Sequence, residues 1–262
     1  MAHLTHTIEN GLAVIVLDNP PENRLSSQMF SELSSALSVI GSSEARALLM
    51  RAEGENFSLG GDIVPWPEMS SRELRSLLET YMLCVNQFER LSIPTVAAVQ
   101  GRCFGGGFEL ALRADVIFAG ETARFAHIEQ SLGLATVLGG VYRVAERAGR
   151  SKAIEWALTS EHIPSHVMER YGVVNSVVPD DRLVAEANTF ATKLASGPTR
   201  AHAAHKVLLR IWATGGVAAA DEAMADIASP LFDTEDVKLA LPASVQAIKA
   251  KQPRPAFLFK GR

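Results

Sequence analysis

The spacing of apolar and polar positions changes period repeatedly along the first half of the chain. Residues 13–18, AVIVLD, form a short continuous apolar run, and NPPEN behind it has the Pro and Asn chemistry of a turn. Such a run bounded by turn residues predicts a buried strand. In SQMFSELSSALSVI the spacing becomes helical, with Met29, Phe30, Leu33, Leu37 and Ile40 on one face and Ser26 or Ser27 available as cap. ALLMRA (47–52) is a second apolar strand. Strand, helix and strand in that order predict a parallel βαβ unit. Residues 70–91 read as a long serine-capped amphipathic helix and PTVAAVQG (94–101) as a third strand. DVIFAG (115–120) and ARFAHIE (123–129) read as two short strands around a Gly-Glu turn.

From about residue 138 helical spacing dominates, in GGVYRVAERAG, SKAIEWALTS and HVMERYG. A short VVNSVV strand follows, and then helical stretches near 181–195, 198–213 and 217–228. The closing KAKQPRPAFLFKGR is basic, aromatic and broken by proline, a composition suited to packing on another subunit or a ligand. No internal repeat or linker-like tract interrupts the chain. The pattern predicts a βα-type core over residues 1–195 with an α-helical C-terminal region over 196–262.

Composition narrows the functional classes. With 47% hydrophobic and 21% charged residues and a formal net charge of −4, the 262-residue chain does not carry the basic surface of a nucleic-acid binder. LAVIVL (12–17) is too short to span a bilayer and lacks the flanks of a signal peptide, so neither membrane anchoring nor export is expected. Cys84 and Cys103 form no disulfide framework and no metal-ligand spacing. They read as reduced, packed thiols in a cytoplasmic compartment.

Candidate chemistry begins at GRCFGGGFELAL (101–112), where Gly105, Gly106 and Gly107 precede a helical run. Glycines allow a sharp turn and close backbone approach, and the N–H groups opening a helix favour developing negative charge. Glu109 in that first turn is ordinarily a favourable acid and no more. Nucleotide-loop patterns do not fit: G-x-x-x-x-G-K-[ST] is absent, the third glycine position of G-x-G-x-x-G falls on Leu110, and there is no G-x-S-x-G. His127, alone on a strand, reads as a satisfied packing residue. A second loop, FSLGGDI (57–63), also follows a strand end, where ligands bind in open parallel sheets. Two such loops can aim two N–H groups at one carbonyl oxygen, each worth roughly 2.7–4 kcal/mol in a transition state.

FSLGGDI, SIPTVAAVQGRCFGGGFELALRADVIFAG and ARFAHIEQSLGL, in that order and spacing, resemble the crotonase (enoyl-CoA hydratase/isomerase) superfamily. Weaker matches at NPPENRLS, TSEHIPSHVMERYGVVNSVVPDDRL and the closing FKGR extend the likeness over essentially the whole chain. The resemblance implies an α/β fold, a crotonase-like core of ββα repeats with a C-terminal helical trimerisation region, and a homotrimer or dimer of trimers. It also implies an acyl-CoA thioester substrate, and the lack of a clustered His/Cys ligand set or dinucleotide fingerprint predicts no metal or separate cofactor. By the resemblance, the N–H groups of Gly61 and Gly106 form an oxyanion hole, and Glu109 and Glu129 are the two catalytic glutamates. Leu59, Asp62, Ile63 and Trp66 would line the substrate site, and Arg24 and Lys260 are candidates for the CoA phosphates. Two carboxylates suit hydration, one activating water while the other delivers a proton. Isomerisation, C–C hydrolysis, decarboxylation or a non-catalytic binding role stay open alternatives. Thr136-Val137-Leu138-Gly139-Gly140 departs from the family's P-G-A-G-G, and its bulkier Val and Leu would reshape the acyl pocket.

Overall fold

The computed structural model describes residues 2–262. In chain order its main elements are β1 (Leu4–Glu9), β2 (Leu12–Leu17), α1 (Ser27–Gly41), β3 (Ala47–Ala52), α2 (Ser71–Glu89), β4 (Thr95–Val99), β5 (Arg102–Phe104) and α3 (Gly106–Ala111). There follow β6 (Val116–Gly120), β7 (Arg124–Ala126), α4 (Gly140–Ala148), α5 (Arg150–Thr159), β8 (Ile163–Pro164), α6 (Ser165–Arg170) and β9 (Ser176–Val178). The chain ends in α7 (Leu183–Ala195), α8 (Thr199–Ala228) and α9 (Glu235–Lys249). The main sheet has the order β1-β2-β3-β4-β6-β9, parallel except for the β1–β2 hairpin, and a second sheet has the order β5-β7-β8.

The strand and helix periods explain the layers. Ile15, Leu48, Met50, Ala97 and Val99 join the apolar stripes of α1 and α2 in one core, while Leu49, Val96, Ala98 and Phe118 on the opposite face meet α7. The α7 stripe is Leu183, Ala187, Ala191 and Ala195, small side chains that let a helix lie close to the sheet. After β4 the chain turns at Gly101 (φ 55°) and enters the second sheet as β5, and after β6 it passes through residues 121–123 into the second sheet as β7. These paired strands form the ββα repeats.

Several elements differ from the sequence reading. β1 escapes the hydrophobic pattern because it is an edge strand: Thr5, His6 and Thr7 are exposed and only Leu4 is buried. Its signal is Asn10-Gly11, both at positive φ (51° and 79°), as a two-residue hairpin requires. The expected strand 123–129 stops at Ala126, and Glu129 opens a 3-10 turn, Glu129–Leu132. α9 was masked by Pro242, which ordinarily ends a helix, yet the helix continues through it behind a Thr234 cap. The expected helices at 198–213 and 217–228 are the two arms of α8, broken at Gly216 (φ 72°, ψ −170°).

Candidate active site

The two glycine loops are stitched together by backbone hydrogen bonds. Ser58 N–H donates to the Arg102 carbonyl (3.2 Å) and Phe104 N–H to the Ser58 carbonyl (2.9 Å), while Leu25 N–H donates to Gly60 (2.9 Å). The approach is so close that a Cβ on Gly107 would lie 2.6 Å from Ser58 Cβ and 2.7 Å from its carbonyl oxygen. A Cβ on Gly106 would lie 3.4 Å from the Gly61 nitrogen. Gly105 sits at φ 50°, ψ −126°, a conformation open to glycine and strained for other residues. Among the described residues, neither Gly61 N–H nor Gly106 N–H donates a hydrogen bond within the protein. Because α3 is only six residues long, the polar character of this corner comes from those two groups themselves.

Glu109 follows in α3 and is fully buried. Its Oε1 accepts hydrogen bonds from Leu138 N–H (2.8 Å) and Gly140 N–H (2.9 Å), and its Oε2 has no protein partner. Burial raises its pKa, opposed by these two N–H groups and by the charges of Arg113 and Arg143. Glu129 is 8% exposed, and neither of its oxygens has a protein partner. Burial, then the charge of Glu109, pushes it up to about 7. A Cβ on Gly105 would lie 3.4 Å from Glu129 Oε1, so this carboxylate stands directly against the glycine turn.

Gly61, Gly106 and Glu129 border a cavity that opens to solvent on one side. Its lining includes the predicted Arg24, Leu59, Gly61, Ile63, Trp66, Gly106 and Glu129, and also Val137 and Leu138 of the departing segment. Glu109 lies behind this lining, tied to it through Leu138. The arrangement offers two free N–H donors and two unequal carboxyls beside an apolar chamber, the equipment for moving protons next to an oxygen that gains charge.

Comparison with known proteins places this geometry. Residues 7–255 match the family described as enoyl-CoA hydratase/isomerase. The chain belongs to that family. Over 179 residues, 68% of the chain and 66% of the relative, it is 32% identical to a mevalonyl-coenzyme A hydratase of Aspergillus fumigatus. To the mitochondrial enoyl-CoA hydratase of Pongo abelii it is 32% identical over 189 residues, 71% of the chain and 64% of the relative. Each match thus spans just under two thirds of the relative's own length. The crystal structure of an enoyl-CoA hydratase from Bacillus anthracis superposes with a TM-score of 0.89 over 99% of this chain and 100% of that one, at 25% identity. The fold is the crotonase fold.

Within this family member, three predicted site residues stand apart from the others. Asp62 does not border the cavity; its carboxylate accepts from Val64 N–H (3.2 Å) and shapes the loop. Lys260 pairs with Glu235 (3.0 Å) on the C-terminal tail, and within one chain it does not border the cavity. Arg24 is at the cavity but held by Glu22 (2.6 Å). His127 is packed as expected, 4.9 Å from the Phe108 ring, yet both ring nitrogens lack partners and burial pushes its pKa down to about 4. The apolar wall was missed: Leu25, Phe30, Leu78, Ile128, Leu132 and Leu134 also line the cavity. Phe30 and Leu78 sit on the apolar faces of α1 and α2, where no local signal separates lining a cavity from ordinary core packing.

No helix among the described residues is long and apolar enough to cross a membrane.

Proposed function

We propose that the protein is an enoyl-CoA hydratase-type lyase, reversibly adding water across the 2,3 double bond of an enoyl-CoA thioester. The observation that carries this reading is the meeting of two unpaired N–H groups and the Glu129 carboxyl on one cavity, with the buried Glu109 carboxyl behind its wall at Leu138. In the hydration direction, Glu109 takes a proton from water as its oxygen bonds to C3. The electron pair of the double bond moves through C2 to the thioester oxygen, which the N–H groups of Gly61 and Gly106 stabilise. Glu129 then donates its proton to C2 as the carbonyl re-forms. A pKa near 7 leaves Glu129 protonated often enough at neutral pH to act as that acid. The step draws on carboxyls and backbone dipoles, with coenzyme A as part of the substrate and no metal or redox group taking part.

The acyl group would lie against Trp66, Ile63 and Leu59, with Arg24 placed for a CoA phosphate; Lys260 would serve only if another subunit's tail reaches the cavity. A homotrimer or dimer of trimers in the cytoplasm fits this reading. It is supported by the large apolar side chains Leu209, Trp212, Val217 and Met224 that α8 leaves exposed. The test is turnover of crotonyl-CoA, followed as loss of the conjugated thioester absorbance with 3-hydroxybutyryl-CoA identified as product. A shifted double bond without water uptake would replace hydration by isomerisation, and no turnover of any enoyl-CoA would overturn the reading.

A further inference from the structure

The segment that pins Glu109 is itself gripped from behind by an ion cluster that the proposed chemistry does not touch. Arg113, just past the end of α3, is 2% exposed. It donates from Nη1 to Glu89 Oε2 (2.9 Å) and Asn86 Oδ1 (2.6 Å), and from Nη2 to the Leu138 carbonyl (2.5 Å). Arg143, in α4, donates from Nε to Glu89 Oε1 (2.8 Å), from Nη2 to Glu89 Oε2 (2.6 Å) and from Nη1 to the Gly139 carbonyl (3.1 Å). One carboxylate at the end of α2 therefore holds two guanidinium groups, and each of these holds one carbonyl.

Those carbonyls belong to the residues that serve Glu109. The Gly139–Gly140 peptide gives its carbonyl to Arg143 and its N–H to Glu109 Oε1 (2.9 Å). Leu138 gives its carbonyl to Arg113 and its N–H to the same Oε1 (2.8 Å). The segment contains Gly139 at φ 85°, and a Gly-Gly pair has little conformational preference of its own. Its register has to come from outside, and planar guanidinium forks suit that task.

We propose that Glu89 is a positioning residue for the reaction. By seating Arg113 and Arg143 on the Leu138 and Gly139 carbonyls, it fixes the two N–H groups that occupy Oε1 of Glu109 and leaves Oε2 as the oxygen free to react. This rests on the reading of Glu109 as the group that activates water. The charged and titratable groups around Glu109 are Arg113, Arg143, Glu129 and His127, and Glu89 acts through the two arginines.

The test is Glu89→Gln in the full-length protein, comparing crotonyl-CoA hydration with deuterium exchange at the α carbon of butyryl-CoA, a step assigned to Glu129 alone. A misplacement of about 1 Å costs on the order of 10²-fold, so kcat for hydration should fall roughly 10- to 100-fold with KM changed less than about threefold. The α-exchange rate should stay near that of the parent. Should Glu89→Gln not fold, Arg143→Lys decides by the same criteria, since lysine keeps the charge but cannot hold Glu89 and the Gly139 carbonyl together. Unchanged hydration, or hydration and exchange falling together, would overturn the assignment. A parent protein that fails to hydrate any enoyl-CoA would count against the reading of the site instead, and is told apart by that control.

Discussion

Glu109 and Glu129 stand within each other's electrostatic reach on unequal terms: Oε1 of Glu109 accepts two backbone hydrogen bonds, and neither oxygen of Glu129 accepts one from the protein. Burial raises the pKa of both, but at Glu109 the two N–H groups and the charges of Arg113 and Arg143 oppose the rise, whereas at Glu129 the charge of Glu109 adds to it. Two carboxyls whose surroundings differ in this way can divide the work of base and acid between them.

Replacing either glutamate with Gln should lower the hydration rate by roughly 10²- to 10⁴-fold while leaving thioester affinity largely intact. Because both serve a single addition of water across one double bond, the double variant should cost far less than the product of the singles. Steady-state kinetics with calorimetric binding of a non-reacting acyl-CoA check this, and a fully active pair of single variants would refute it.

Stability should respond to pH through two opposing groups. The carboxyl of Glu129 rises from 4.5 to about 7 on folding, so its contribution is present below 4.5 and is lost as pH climbs to about 7. At 1.36 kcal/mol per pH unit this amounts to about 3 kcal/mol. His127 falls from 6.5 to about 4, so its contribution is present above 6.5 and is lost as pH drops toward 4. Glu129→Gln should therefore unfold less readily than the parent at pH 8, with a stability that rises between about 4 and 6.5. His127→Gln should show the reverse slope between 4.5 and about 7. Denaturant midpoints across pH test both, and parallel curves for the two variants would contradict the assignment.

Gly107→Ala should destabilise the protein by about 1–3 kcal/mol, the usual cost of overpacking. Its Cβ would enter the space of Ser58 at 2.6–2.8 Å and push the two glycine loops apart. Hydration should fall more steeply than stability predicts, because the separation also moves Gly61 from Gly106. Chemical denaturation alongside kcat measurements would show it; a wild-type rate in the folded variant would mean that the loop spacing is not critical.

Val137 and Leu78 line both the cavity and a groove along α2, forming the wall between them. Val137→Ala should open that wall and favour longer acyl chains. Each additional buried CH₂ is worth about 0.8 kcal/mol, or about fourfold in kcat/KM relative to crotonyl-CoA. A ratio unchanged from four to eight carbons would show that the wall does not limit chain length.

In solution the protein should have the mass of a trimer or hexamer, not the 28.2 kDa of one chain. Light scattering at micromolar concentration measures this directly. Trp212→Glu on the exposed face of α8 should shift the population toward smaller species, and a monomeric parent would rule out the assembly.

Local patterns in the chain determined much of this. Short continuous apolar runs locate β2, β3, β4 and β6, and stripes of period 3.6 the faces of α1 and α2, because a strand covered on both sides is apolar throughout and a helix covered on one side is apolar only there. The glycines at 105–107 and the glutamate behind them were likewise visible, since a backbone that must pass close to another leaves no choice of residue. Tertiary structure alone decided the rest. That Gly61 and Gly106 meet depends on β-bridges from Leu25 to Gly61 and from Ser58 to Cys103, pairings between segments far apart in the chain. Leu78 and Phe30 read as core from their helical spacing, and only the meeting of α1, α2 and the loop at 137–138 turns them into a cavity wall. The grip of Glu89 on Arg113 and Arg143 joins three distant segments. Charge pairing leaves no periodic trace in sequence, so only the folded arrangement of α2, α3 and α4 shows which charges meet.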